Sequence, residues 1–329
     1  MKSKSTRITW GGILVPVGGI VSLILFACVG KDTPLLANGT DASSTQDAAD
    51  TGDGLDAGDG GQRCTAAMPF KSALPLGDNI NTSAIEMSGT LTSDEKTIVF
   101  TRNDDDGLQL YMATRALQTD DFGPSSRLDL ACDPPCTNYN SQLSASGDSM
   151  VFASVRDGNN GRIFQAQRVG DGFTNVTPIY ADPTVVGNAP FLTGEGELFF
   201  TSGDDKSMAI FRSLKASDGS FPPAEQVQAF ATADGPSDTG PVLSRDGLTM
   251  YFSSTYPYLI GDSQANWHTF VMERATVNDP FGVPAPVDEL RGVDGSAAEM
   301  PSWLSDDGCR LYFSVVRDGD SNIYVASKL

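Results

Sequence analysis

The sequence predicts an all-β protein, a five-bladed β-propeller whose ring is closed by a strand from the N-terminal side. Three observations predict it. A short apolar run ending in Ser or Thr recurs five times, as SGTLT at Thr92, NSQLS at Ser144, APFLT at Thr193, GPVLS at Ser244 and PSWLS at Ser305. The intervals of 52, 49, 51 and 61 residues suit a four-stranded blade repeated around an axis. Each run is followed by a turn and two further apolar runs, so each unit reads as a meander. Finally, 34 glycines and 19 prolines in 329 residues suit a turn-rich β chain rather than long helices.

In chain order, Lys2, Lys4 and Arg7 precede an apolar stretch from Trp10 to Val29. That is the charged and apolar pattern of a secretory signal. The stretch runs through Leu25-Phe26-Ala27-Cys28, which resembles the bacterial lipobox, with Phe26 departing from the small residue usual there. Residues 1–28 are therefore expected to be a lipoprotein-type signal peptide, with Cys28 as the lipidated residue. The competing reading is an uncleaved anchor helix, since about 19 apolar residues span a bilayer. Gly11, Gly12, Pro16, Gly18 and Gly19 weaken such a helix. Residues 29–63 are dominated by Asp, Gly, Ala, Thr and Ser and bury too little apolar surface to fold. They are expected to form a solvated tether reaching about 33 Å for ~35 residues.

Residues 64–329 carry the repeats. The second runs are TIVFT, SMVFA, ELFFT, TMYFS and RLYFS, and the third are LQLYMATR, RIFQAQR, AIFRSLK, TFVMERA and NIYVASK. Their continuous apolar character fits sheets buried on both faces. A fourth element begins at Phe122, Phe173, Phe221 and Phe281, while the fifth unit has only three runs before Leu329. A matching piece, PFKSALPLGDNI around Phe70, precedes the first unit. It is expected to supply the outermost strand of blade five and cover an exposed edge.

The repeat is similar to the WD40-like (TolB-type) propeller repeat of exported bacterial proteins. The resemblance rests on Pro241, Ser244, Asp246, Gly247, Tyr251 and Phe252 in blade four. In blade five it rests on Ser305, Asp307, Gly308, Tyr312, Phe313, Arg317, Gly319, Ile323 and Tyr324. It covers Pro69 to Leu329, with Glu95 and Gly196 disturbing the Asp-Gly turn in blades one and three. Five units are counted, where TolB itself usually has six blades. The resemblance implies binding or scaffolding more than catalysis, on a fold that hosts many functions.

In such a propeller the innermost strand of each blade runs from a top mouth to a bottom turn. With Cys28 set aside, four cysteines remain to pair in an oxidising compartment. Cys132 and Cys136 flank a top connection where a short bridge would rigidify the loop. Cys64 precedes the closing strand and Cys309 sits in the first turn of blade five, so a bridge there would pin the closure.

Charge and histidine content exclude whole classes of function. A net charge of -20 argues against a nucleic-acid partner, because a phosphate backbone needs a basic patch. The single histidine, His268, disfavours His-rich metal sites and His-based triads.

Six residues before each aligned Ser or Thr stand Glu86, Asn138, Gly187, Asp238 and Glu299, expected at the top mouth. They are candidates for a ligand or cation site, calcium included, or for a carboxylate pair acting on a glycosidic bond. The competing reading is a set of solvated residues neutralised by Arg156 and Arg317. Blade four has 17 residues between Phe252 and Phe270, and this long top loop carries the binding candidates Tyr256, Tyr258, Trp267 and His268. The sequence thus predicts a monomeric, lipid-anchored, exported module of the cell envelope that binds a protein or polysaccharide partner without catalysis. The alternative is a glycoside-hydrolase-like or cation-binding propeller.

Overall fold

The computed structural model describes residues 63–132, 136–156, 161–204, 207–230, 236–256 and 266–329. The expected signal peptide, nearly all of the expected tether, and Tyr258 lie outside the described residues. Twenty strands form five four-stranded antiparallel sheets. Blade one holds β2 (Glu86–Leu91), β3 (Thr97–Asp104), β4 (Gly107–Thr114) and β5 (Ser126–Arg127). Blade two holds β6 (Asn138–Leu143), β7 (Ser149–Ser154), β8 (Arg162–Val169) and β9 (Gly172–Pro178). Blade three holds β10 (Asn188–Leu192), β11 (Glu197–Asp204), β12 (Ser207–Leu214) and β13 (Glu225–Gln226). Blade four holds β14 (Asp238–Leu243), β15 (Thr249–Ser254), β16 (His268–Glu273) and β17 (Ala285–Pro286). Blade five holds β18 (Ala298–Leu304), β19 (Arg310–Arg317) and β20 (Asp320–Ser327), with β1 (Ser72–Pro75) as its fourth strand. The innermost strands β2, β6, β10, β14 and β18 each touch both neighbours in a closed ring.

The repeated Ser or Thr has one local task in every blade. Its hydroxyl accepts the backbone N–H that opens the second strand, at Thr97, Ser149, Glu197, Thr249 and Arg310. In blades one, four and five it also donates to an Asp two residues on, as Thr92 to Asp94, Ser244 to Asp246 and Ser305 to Asp307. Side chains that satisfy their own turn this way are what fix a tight reversal. The Asp-Gly glycine also matters at one place in particular. Gly308 has φ +71°, and an added Cβ would lie 2.5 Å from the Cys64 carbonyl oxygen, so only glycine lets the N-terminal segment approach.

A second recurring device links neighbouring blades. Every innermost strand carries a register shift, and in four of them a residue at the shift takes positive φ: Ser88, Asn140, Ala189 and Gly240. Such bulges leave ladder groups unpaired. The freed amide of Ser88 donates to Ser314 Oγ at 3.0 Å, that of Asn140 to Thr101 Oγ1 at 3.0 Å, and that of Gly240 to Thr201 Oγ1 at 3.2 Å. Each acceptor is the hydroxyl that closes the second apolar run of the preceding blade. Blade two ends that run on Ala153, so it offers no hydroxyl to blade three. In blade five the equivalent residue is Pro301, which has no N–H; Ser253 instead donates to the Glu299 carbonyl at 3.2 Å.

Apolar clusters fill the seams between blades. The seam between blades two and three is the leanest, with Ile163, Tyr180, Leu198 and Phe200 as its buried members. There the Gln142 side-chain amide stands in for a peptide, accepting from Leu192 N at 2.6 Å and donating to Leu192 O at 3.3 Å.

Closure of the ring is built from several contacts at once. β1 pairs antiparallel with β20 in the register Ser72 to Ser327 through Pro75 to Tyr324. Cys64 and Cys309 form a disulfide across 245 residues of sequence. Glu95, at the glycine position of its turn with φ +55°, accepts from Arg310 Nε at 2.8 Å, Tyr312 Oη at 3.0 Å and Gln118 Nε2 at 2.7 Å. The departure from the repeat in blade one therefore ties blade one to blade five. Lys328, one residue from the end, is buried against Phe70 and donates to Thr65 O at 2.7 Å and Tyr251 Oη at 2.9 Å. The second disulfide joins Cys132 to Cys136.

Replacing Cys64 and Cys309 together with Ser is expected to lower stability by about 5.5 kcal/mol, the loop-entropy value for a closed loop of this length. Urea unfolding measures it, and an unchanged midpoint would show that strand pairing alone holds the ring. Thr101→Val strips the acceptor from a buried amide and is expected to cost about 1–3 kcal/mol. A midpoint equal to wild type would mean that the inter-blade bond contributes nothing.

Candidate functional site at the top of blade four

The inner-strand starts sit at equivalent places in all five blades, and their environments differ. Glu86 is fully buried and accepts from Arg102 Nε at 2.8 Å, Thr82 N at 3.0 Å and Thr82 Oγ1 at 2.6 Å. Asn138 accepts from Ser154 Oγ and Arg156 Nη2, each at 2.9 Å, and donates to Gln109 Oε1 at 3.2 Å. Gly187 is constrained by space, since an added Cβ would lie 2.6 Å from the Phe200 ring. Glu299 is fully buried and accepts from Gly292 N at 2.8 Å and from Ser296 Oγ, with His268 Nδ1 at 3.0 Å. Arg102 and His268, rather than the expected Arg156 and Arg317, are thus the partners of the two glutamates. Arg317 is half exposed and pairs with Asp294 at 2.9 Å.

Asp238 differs from the other two acids. It is 7% exposed, and its Oδ1 has no hydrogen-bond partner among the described residues. Burial pushes its pKa up from 3.8 to about 6, with a hydrogen bond from Ser254 pulling the other way. A buried carboxylate oxygen left unpaired is costly.

The strand register places Asp238 opposite Ser254 and Ser254 opposite His268. These three and Glu299 therefore form a row across the top of blade four and onto blade five. Two groups that the sequence offered separately, the mouth acids and the blade-four loop, meet here. Trp267 is buried, and its carbonyl accepts from Glu299 N at 2.9 Å. Tyr256 is 36% exposed and stacks on Phe230 with ring centroids 4.2 Å apart, while its N–H donates to Ser254 Oγ at 3.1 Å. Closer to the axis, Ser88 Oγ donates to Asn140 Oδ1 at 2.7 Å across blades one and two. Burial raises the Tyr139 hydroxyl to about 12, so the tyrosine stays neutral. Among the described residues no group of three or more His, Cys, Asp or Glu side chains is placed to hold a metal ion.

Ser254 was not marked by the sequence, although its neighbour Ser253 closes the YFS run. Only the cross-strand pairing puts it between Asp238 and His268. Arg102 was missed for the same reason, since it follows the first TIVFT run and reaches Glu86 only through the β2–β3 ladder.

The chain is a five-bladed β-propeller. It is similar in structure to a thermostable family-43 glycoside hydrolase, at 11% identity over 77% of this chain and 91% of that one, with a TM-score of 0.51. The endo-arabinase from Bacteroides thetaiotaomicron matches at 12% identity over 74% and 94%, with a TM-score of 0.52. TolB from Acinetobacter baumannii matches at 18% identity, with a TM-score of 0.43; the match covers 76% of this chain and 56% of TolB. No family model matches the sequence, and no curated protein sequence is similar to it. What these chains share at such identities is the fold.

A group whose folded pKa is raised from 3.8 to about 6 lowers stability wherever it must be ionised, and the cost fades as pH falls through that window. Asp238→Asn is therefore expected to stabilise the fold at pH 8 by about 2–3 kcal/mol, the worth of a shift of roughly two units. The gain should vanish near pH 4. Thermal melts at the two pH values check this, and a gain of the same size at both would mean that the unpaired charge is not its source.

Proposed function

We propose that this protein is an exported, lipid-anchored binding module of the cell envelope whose ligand docks at the top of blade four. The observation that carries the reading is Asp238, a buried carboxylate with an oxygen that no described residue satisfies. The other two mouth acids are already saturated by internal donors, as a structural acid should be. Asp238 instead keeps a buried acceptor that a ligand hydroxyl or N–H would satisfy on displacing what covers the carboxylate. A sugar hydroxyl or a peptide amide has that chemistry. Two disulfides support an oxidising compartment, and the signal-like N-terminus and Cys28 support export and anchoring.

A second reading is favoured by one specific observation. An acid held near pKa 6 is suited to act as a general acid, and chains named as glycoside hydrolases share the fold. Against it, Glu299, the mouth acid of the adjoining blade, is wholly buried and occupied by three internal partners. A glycosidase needs its second carboxylate free to meet the sugar or a water.

Arrays of neutral polysaccharides, arabinan and xylan among them, and of peptides test the proposal at pH 7. Wild type is expected to bind a subset, and Asp238→Ala to lose about tenfold in affinity, the worth of one buried hydrogen bond to a charged group. Equal binding by both forms would remove Asp238 from the site. Reducing sugar released by wild type and not by Asp238→Asn would establish the hydrolytic reading in its place.

A further inference from the structure

Among the described residues seven large apolar side chains are exposed; Leu74, on the rim strand β1, and Tyr256 stand apart, and the other five fall at equivalent places. Blade one exposes Leu117, blade two Val169, blade three Leu214, blade four Val283 and blade five Leu329, at 51–91%. Each follows, or lies beside, the bottom end of its blade's third strand. Val169 and Leu214 are the last residues of β8 and β12, and Leu117 and Leu329 follow β4 and β20 by two or three residues. Val283 adjoins Gly282, whose N–H donates to the O of Glu273, the last residue of β16. The top face among the described residues shows only Tyr256, already stacked on Phe230. One aliphatic per blade on one face is a ring, and single-residue exposure elsewhere would not produce it.

The chain's own geometry says what this face meets. Residues 1–62 join the propeller at the bottom, because Cys64 is bonded to Cys309 in the first turn of blade five and its N–H donates to Asp307 O at 2.8 Å. The apolar stretch Trp10–Val29 and Cys28 lie on that outgoing segment. We infer that the bottom face seats on the lipid bilayer to which the N-terminus is anchored, with Leu117, Val169, Leu214, Val283 and Leu329 as its contact ring. Aliphatic side chains at an interface partition out of water in proportion to buried area. Within four residues the first four have the acids Asp120, Asp171, Asp218 and Asp279 and the cations Arg115, Arg168, Arg212 and Lys215, on a chain whose net charge is -20. The locally balanced ring therefore suits a zwitterionic surface, while the chain as a whole is repelled by an anionic one. Seated this way, the row at the top of blade four faces away from the membrane.

This inference rests on the anchored reading proposed above, and the experiment separates the two. The full chain, recovered from membranes, is partitioned in Triton X-114 beside Cys28→Ala. It is then reconstituted in phosphatidylcholine vesicles, and its hydrogen exchange is compared with that in detergent micelles. Amides in 115–120, 169–172, 214–220 and 276–284 are expected to exchange several-fold more slowly in vesicles, with top amides around 82–86 and 292–297 unchanged. The slowing should weaken when phosphatidylglycerol is added. It should be lost in the quadruple variant Leu117→Ser, Val169→Ser, Leu214→Ser, Val283→Ser, whose melting temperature checks that the fold is intact. Wild type in the aqueous phase would refute anchoring and seating together. Wild type in the detergent phase with bottom and top amides equally unchanged would refute the seating alone. Protection that appears only after envelope protein is added, and not with lipid, would assign the ring to a protein partner and overturn it.

Discussion

Ring closure is the constraint on which everything else in this propeller depends. Five sheets packed face to face bury their apolar surfaces only if the last blade meets the first, and an open ring would expose two sheet faces to water. The chain closes with unlike forces stacked at one place. A strand pairing supplies main-chain bonds, and a disulfide removes unfolded-state freedom across most of the domain. Buried Glu95 then joins Arg310 and Tyr312 across the seam. Charge, hydrogen bond and covalent link reinforce one another there because loss of any one would leave a buried polar group or an unpaired strand edge.

Around the rest of the ring, blades are held by repetition of a smaller device. The hydroxyl ending the second strand satisfies the bulged amide of the next blade, so that an irregularity in each inner strand becomes a joint. The two places where the device fails are informative. At Pro301 the donor is missing, and Ser253 with Thr269 grips the Glu299 carbonyl instead. At Ala153 the acceptor is missing, and the Gln142 amide takes over on a seam with a small apolar cluster. The first substitution has a consequence for function. It fastens Glu299 to blade four and so assembles the row that runs from Asp238 through Ser254 and His268.

The two faces of the disc then have different chemistry. The top concentrates buried polar groups, with one carboxylate oxygen unsatisfied; the bottom carries turns, ion pairs, the outgoing chain and a ring of aliphatics. A fold of identical repeats separates its faces in this way because all inner strands run in one direction. Whatever ends a strand in one blade therefore appears on the same face in every blade.

Blade number, blade order and the borrowed outer strand were legible in the sequence. The Ser or Thr, the Asp-Gly turn and the apolar runs are local signals, each satisfied within a few residues of itself. The closing disulfide was legible as well, because strand direction alone puts Cys64 and Cys309 at one end of one blade. The state of each mouth acid was not. Glu86, Asp238 and Glu299 occupy the same repeat position, yet one meets an arginine, one a histidine and one only a serine hydroxyl. Those partners come from a neighbouring strand, the preceding blade or a distant loop. Burial and pairing are properties of the assembled ring, so only the tertiary structure decides which of three equivalent carboxylates is left with an oxygen to offer.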